Sequence, residues 1–138
     1  MLRLALLQDR TALSTSLLVL VVAAAVYASQ PSGVKHASVD EARMLIDAGA
    51  MVIDVREPGV SANSHIPGAR RIPLEALSAS LPQLAADRDR TIVVYCSSGA
   101  GRGPRATALL NKAGFSKAVN MATGFEGWRA AGLPTGRG

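Results

Sequence analysis

Cys96 is the single cysteine of the chain, and it stands between an apolar run, Thr91-Ile92-Val93-Val94-Tyr95, and a glycine-rich stretch, Ser97-Ser98-Gly99-Ala100-Gly101-Arg102-Gly103. The run of β-branched residues predicts a strand covered on both faces, and Pro104 suits the first turn of a helix, where its missing N–H costs nothing. The stretch between them is therefore a strand-to-helix turn. Its glycines let successive backbone N–H groups point inward, and the helix that follows adds the positive end of its dipole. Ser97, Ser98, Gly99, Ala100 and Gly101, with the guanidinium of Arg102, would then line an anion-binding bowl that Cys96 faces. Such surroundings favour thiolate over thiol, and the thiolate is the nucleophile. A lone free cysteine is most often a small core residue. Here a strand, a glycine turn, an arginine and a helix-starting proline coincide, so Cys96 is read as catalytic and residues 97–102 as substrate-binding.

Other polar groups receive structural readings. Asp54 lies inside the apolar run Met51-Val52-Ile53-Asp54-Val55, and a buried carboxylate there needs a partner, for which Arg56 or Arg70 is at hand. His65 is expected to bond a loop carbonyl, and Trp128 to pack in the core and wall the pocket. The two histidines, His36 and His65, are far apart, and no second cysteine exists for a disulfide or a cysteine-rich zinc site. No metal and no cofactor is expected. The 138 residues carry a formal net charge of +5, yet the basic residues are scattered and aromatics are 4%, which argues against nucleic-acid binding.

Residues 13–28 carry no charge and follow Arg3 and Arg10. They read as a membrane-targeting segment, an uncleaved anchor slightly ahead of a cleaved signal with its cut before Ser29. The basic flank would stay in the cytoplasm, placing the rest of the chain outside it: inner-membrane-anchored or secreted, with a periplasmic catalytic domain. Residues 1–33 are thus segment and linker, and 34–138 the domain. Oligomeric state is not legible.

The elements that must position the cysteine follow from periodicity. Ser38 and Glu41 form a capping box opening a helix with Val39, Ala42, Leu45 and Ile46 on one face and Gly49 closing it. Met51–Val55 is a strand, Arg71-Ile72 a short edge segment, and Leu74, Leu77, Leu81 and Leu84 suggest irregular helical turns broken by Pro82. After the loop come a helix from Pro104 to Ala113, a strand from Lys117 to Met121 and a helix from Phe125 to Ala131. This alternation predicts an α/β fold of three layers, a central parallel sheet with helices on both faces, preceded by an N-terminal apolar helix. Ligands sit at the carboxyl ends of such strands, where Cys96 lies.

From about Val34 to Pro134 the chain resembles a single rhodanese homology domain. The resemblance rests on Val52-Ile53-Asp54-Val55-Arg56-Glu57-Pro58, His65-Ile66-Pro67-Gly68-Ala69, Val93-Val94-Tyr95-Cys96 with its loop, and Gly124-Phe125-Glu126-Gly127-Trp128 with Gly132-Leu133-Pro134. It implies a sulfurtransferase in which Cys96 takes a sulfane sulfur from a small anion such as thiosulfate, holds it as a persulfide cradled by the loop amides, and passes it to cyanide or a thiol. Family sulfurtransferases usually count six residues from cysteine through arginine, commonly with a serine next. Here there are seven, Cys96 through Arg102, and then Gly103. The longer loop resembles that of rhodanese-fold phosphatases and arsenate reductases, which accept tetrahedral oxyanions, although no loop carboxylate offers a proton and Tyr95 stands where the cell-cycle phosphatases carry histidine. Ser64 occupies the position of a usual glycine. A noncatalytic anchored binding module is the third reading.

Overall fold

The computed structural model describes residues 15–25 and 33–138. The chain divides into two compact units, Met1–Gln30 and Pro31–Gly138. In the first, residues 15–25 are helical (α1), and Leu17, Leu18, Val19 and Leu20 are exposed. Among the described residues no helix is long and apolar enough to cross a membrane. Residues 13–14 and 26–28 of the expected targeting segment lie outside those described, as do Arg3 and Arg10.

The second unit is built on a five-stranded sheet of β1 (His36–Ala37), β2 (Met51–Asp54), β3 (Arg70–Arg71), β4 (Ile92–Tyr95) and β5 (Ala118–Met121). All pairings are parallel, in the order β1-β5-β4-β2-β3, so β4 lies at the centre. Both of its faces are buried, which is why it reads as an unbroken apolar run. Alternation along β4 feeds two cores. Ile92, Val94 and Cys96 join Leu77 and Leu84 of α4 (Leu74–Leu84) and Ala106 and Leu110 of α5 (Arg102–Lys112). Val93 and Tyr95 join Ala42 of α2 (Val39–Asp47) and Phe125 and Trp128 of α6 (Gly124–Ala130). Helices therefore cover both faces, as the alternation predicts.

Local signals explain most element ends. Ser38 Oγ accepts the N–H of Glu41 at 3.1 Å, forming the cap of α2. α5 starts at Arg102, two residues before the expected boundary, with Pro104 still inside its first turn. α4 is one continuous helix with Pro82 inside it, followed by a 3₁₀ turn at Ala85–Asp87, rather than broken turns. Pro82 lies two residues from the helix end, and its missing N–H leaves the Ser78 carbonyl without its usual in-helix donor. A further helix, α3 (Pro58–Asn63), comes between β2 and β3. Ser64 follows it with φ −164°, an extended backbone that any residue adopts, which accounts for serine at a position that usually holds glycine.

Candidate active site

The chain leaves β4 at Tyr95, turns through residues 96–101 and enters α5. Two close approaches seat this loop. Gly99 has φ +81°, and a Cβ there would overlap the Ala122 carbonyl after β5. Gly124 has φ +60°, and its Cβ would fall 2.5 Å from Cys96 O and 2.6 Å from Gly99 N. Both positions thus require glycine for conformation and for space. The start of α6 then holds the loop from behind: Phe125 N–H donates to Cys96 O at 2.8 Å and Glu126 N–H to Ser97 O at 2.9 Å.

These bonds engage the loop's carbonyls. Its donors are left over: among the described residues the N–H groups of 97–99 and 101–103 donate to no protein acceptor, and that of Ala100 lies 3.4 Å from Ser98 Oγ. The far end of the loop returns to the cysteine, since a Cβ on Gly103 would lie 3.2 Å from Cys96 Sγ. Cys96 is 3% exposed, so the thiol is sheltered as well as adjacent to free amides.

Arg102 behaves differently from its expected place in the bowl. Nε donates to Val55 O at 2.9 Å, and Nη1 and Nη2 form a two-pronged bond with the Glu75 carboxylate at 2.7 and 2.6 Å. All three guanidinium nitrogens have partners within the protein. Glu75, early in α4, holds the Arg102 pKa above its ordinary value, and Arg102 holds that of Glu75 below its own. Arg102 therefore ties the start of α5 to the end of β2 and to α4.

Beneath the loop lies a buried polar cluster. Asp54 accepts Arg56 Nε at 2.9 Å and Nη2 at 2.7 Å, and the Tyr95 hydroxyl donates to it at 2.9 Å. Tyr95 Oη in turn accepts the Ile66 N–H at 3.0 Å, and Arg56 Nη2 reaches Ser64 O at 2.6 Å. Burial, with the Asp54 charge behind it, pushes the Tyr95 pKa upward, so the hydroxyl stays a donor. Burial disfavours the Arg56 charge, yet the bonds and charge of Asp54 outweigh it and raise its pKa. Arg56 is the partner of Asp54; Arg70 lies 4.0 Å from Asp87 instead. The Nδ1 atom of His65 is 3.0 Å from Ser61 O, and Trp128 Nε1 donates to Pro134 O. Among the described residues no group of histidine, cysteine, aspartate and glutamate could hold a metal ion.

A buried thiol lies at the carboxyl end of the central parallel strand of an α/β fold, followed by a loop of unpartnered amides and the start of a helix. Residues 38–131 match the family of rhodanese-like domains, and the chain belongs to that family. At family level it is a rhodanese-type sulfurtransferase. It is 37% identical over 92 residues to the thiosulfate sulfurtransferase GlpE of Stutzerimonas stutzeri, covering 65% of this chain and 80% of that one. The human single-domain sulfurtransferase TSTD1 superposes with a TM-score of 0.63 at 29% identity, covering 71% of this chain and 97% of its own. A Rhodopseudomonas palustris protein of unknown function, described as a possible tyrosine phosphatase, superposes with a TM-score of 0.66 at 25% identity over 75% and 85% of the two chains.

Three participants were not singled out by sequence. Glu75 precedes Arg102 by 27 residues and meets it only because α4 and α5 share one face of the sheet. Asn120 on β5 donates from Nδ2 to Gly99 O at 3.0 Å, steadying the loop. Arg129 shares a groove with Ser97. None of these carries a local motif.

Proposed function

We propose that the protein moves a sulfane sulfur from thiosulfate or a similar small anion to a thiophilic acceptor, cyanide or a thiol, through a persulfide on Cys96. The observation that carries this reading is the set of unpartnered loop N–H groups beside a sheltered thiol. In the first step the Cys96 thiolate attacks the outer sulfur of thiosulfate. A Cys96–sulfur bond forms, the sulfur–sulfur bond of thiosulfate breaks, and its electron pair leaves on sulfite. The unpartnered amides of Ser97, Ser98, Gly99 and Gly101, with that of Ala100 once released from Ser98 Oγ, would bind first the anionic donor and then the terminal persulfide sulfur. An acceptor nucleophile removes that sulfur and returns the pair to Cys96.

Mass spectrometry of the purified protein after thiosulfate treatment tests the reading: Cys96 gains one sulfur, and cyanide removes it as thiocyanate. Cys96→Ser should abolish turnover without unfolding the domain, because a serine hydroxyl cannot form the persulfide. Turnover retained by that variant would falsify the role of Cys96.

A second reading, an oxyanion enzyme of the phosphatase or arsenate reductase type, is favoured by the seven residues from Cys96 through Arg102. The engagement of Arg102 with Glu75 and Val55 O weighs against it, because a tetrahedral oxyanion would have to compete with a bidentate carboxylate already in place. Residues 13–28 are proposed to direct the chain to the membrane, with the catalytic domain on the extracytoplasmic side.

A further inference from the structure

Between α3 and α6 a groove of about 270 Å³ opens beside the loop, and the loop residue that lines it is Ser97, the neighbour of Cys96. Its wall includes Arg56, which is only 4% exposed. Nε and Nη2 of Arg56 are taken by Asp54 and Ser64 O, whereas Nη1 has no partner among the described residues and is not among the fully enclosed polar atoms. Arg56 lines the groove, and its guanidinium is held in place 4.2 Å from the Phe125 ring centre and 5.3 Å from that of Tyr95. Two further groove residues, Glu126 and Arg129, are exposed and three apart on α6. Neither side chain has a hydrogen bond or ion pair among the described residues, not even with the other.

Asp54 already neutralises Arg56, so the groove offers one fixed N–H donor, one free cation and one free anion. Its volume lies below the roughly 300 Å³ at which pockets for drug-sized ligands begin. The complement is small and carries both a carboxylate and an ammonium group. Resting on the sulfurtransferase reading above, the geometry points to this groove as the docking site of a small zwitterionic thiol of the cysteine type, the acceptor of the sulfur. Its carboxylate meets Arg56 Nη1 and Arg129, its ammonium meets Glu126, and its sulfur extends past Ser97 toward Cys96. The acceptor thiol gives its proton to solvent, and its thiolate attacks the terminal sulfur of the Cys96 persulfide. A new sulfur–sulfur bond forms on the acceptor, the Cys96–sulfur bond breaks, and the electron pair returns to Cys96.

The test compares transfer from thiosulfate to L-cysteine, 3-mercaptopropionate, which lacks the ammonium, and cysteamine, which lacks the carboxylate. Arg129→Ala should raise KM for cysteine and 3-mercaptopropionate about tenfold, the scale of one lost charge-assisted bond, with a much smaller effect on cysteamine. Glu126→Gln should raise KM for cysteine and cysteamine and spare 3-mercaptopropionate. Equal effects on all three thiols, or an effect of Arg129→Ala confined to the KM for thiosulfate, would overturn the assignment. If Cys96 takes up no sulfur at all, the functional reading fails and the groove is decided separately with unreactive S-methylcysteine. Its titration should shift the backbone amide resonances of Ser97, Glu126 and Arg129, with affinity about tenfold weaker in Arg129→Ala; unshifted resonances would overturn the site.

Discussion

At the scale of single residues, the loop depends on a pairing between Gly103 and Asn120. Where family sulfurtransferases commonly carry serine, a Cβ on Gly103 would overlap Asn120 Oδ1. Asn120 is fully buried, donates from Nδ2 to Gly99 O and lies 3.1 Å from His36 Nδ1, so it has little freedom to withdraw. Gly103→Ser should therefore destabilise the domain by about 1–3 kcal/mol, the usual range for overpacking. Among the described residues Asn120 Oδ1 has no partner, so Asn120→Ala removes an unsatisfied acceptor together with the clash. The double variant should be more stable than the sum of the two single effects, as urea denaturation of the four proteins will show. Tyr95 offers a second measurement. Its hydroxyl joins Ile66 N–H to Asp54, so Tyr95→Phe leaves a buried amide unpartnered and a buried carboxylate short of a donor. The loss should be about 1–3 kcal/mol at neutral pH. Asp54 was legible as a buried carboxylate that needs an arginine, Arg56 or Arg70, and the structure selects Arg56; the link to Tyr95 was not legible, since it spans 41 residues and exists only through the pairing of β2 with β4.

Among the elements, the loop is clamped from two sides, by the α6 amides on its carbonyls and by Arg102 on β2 and α4. The second clamp is partly exposed: the Glu75 side chain is 67% accessible and Arg102 25%. It should add little to global stability. Its effect is local and depends on pH. The folded-state pKa of Glu75 is depressed by the Arg102 bonds, so the contribution of the pair is complete above the ordinary value of 4.5 and is lost as pH falls through the lower folded value. Hydrogen exchange of the Phe125 and Glu126 amides, which hold the loop carbonyls of Cys96 and Ser97, corrected for intrinsic rates, should accelerate across that acidic range in the wild type. In Glu75→Gln the same residues should exchange faster already at neutral pH, with no further acid step. An unchanged exchange rate in that variant would show that the loop is held without the Arg102–Glu75 clamp. Element boundaries were legible wherever local chemistry acts: the β-branched run of β4, the Ser38 cap, and Gly49 and Gly114 after their helices. α3 escaped notice because Pro-Gly-Val-Ser-Ala-Asn has weak helix propensity and is held by Ser61 N–H and Val60 N–H on Glu57 O, contacts too short to leave a periodic pattern.

At the scale of the whole chain, the two cores are drawn from residues of the unit Pro31–Gly138, and the N-terminal residues form a unit of their own. Exposed Leu17, Leu18, Val19 and Leu20 are a poor fit to water. In the proposed membrane-directed reading, Arg3 and Arg10 ahead of the uncharged residues would set the direction, since basic residues flanking such a segment stay in the cytoplasm. The native thiol is a weak reporter of side, because Cys96 is 3% exposed. Met44 on α2 is 71% exposed and lies outside the loop, so Met44→Cys in a Cys96→Ser background provides a single accessible thiol. A membrane-impermeant maleimide applied to intact bacterial cells with a permeabilised outer envelope should label this variant. Deleting residues 13–28 should abolish labelling in intact cells while leaving the lysate labelled. Labelling only after lysis in the full-length protein would place the domain in the cytoplasm. The folded domain contains its own thiol, loop and groove, so that result would relocate the sulfur transfer without altering its chemistry.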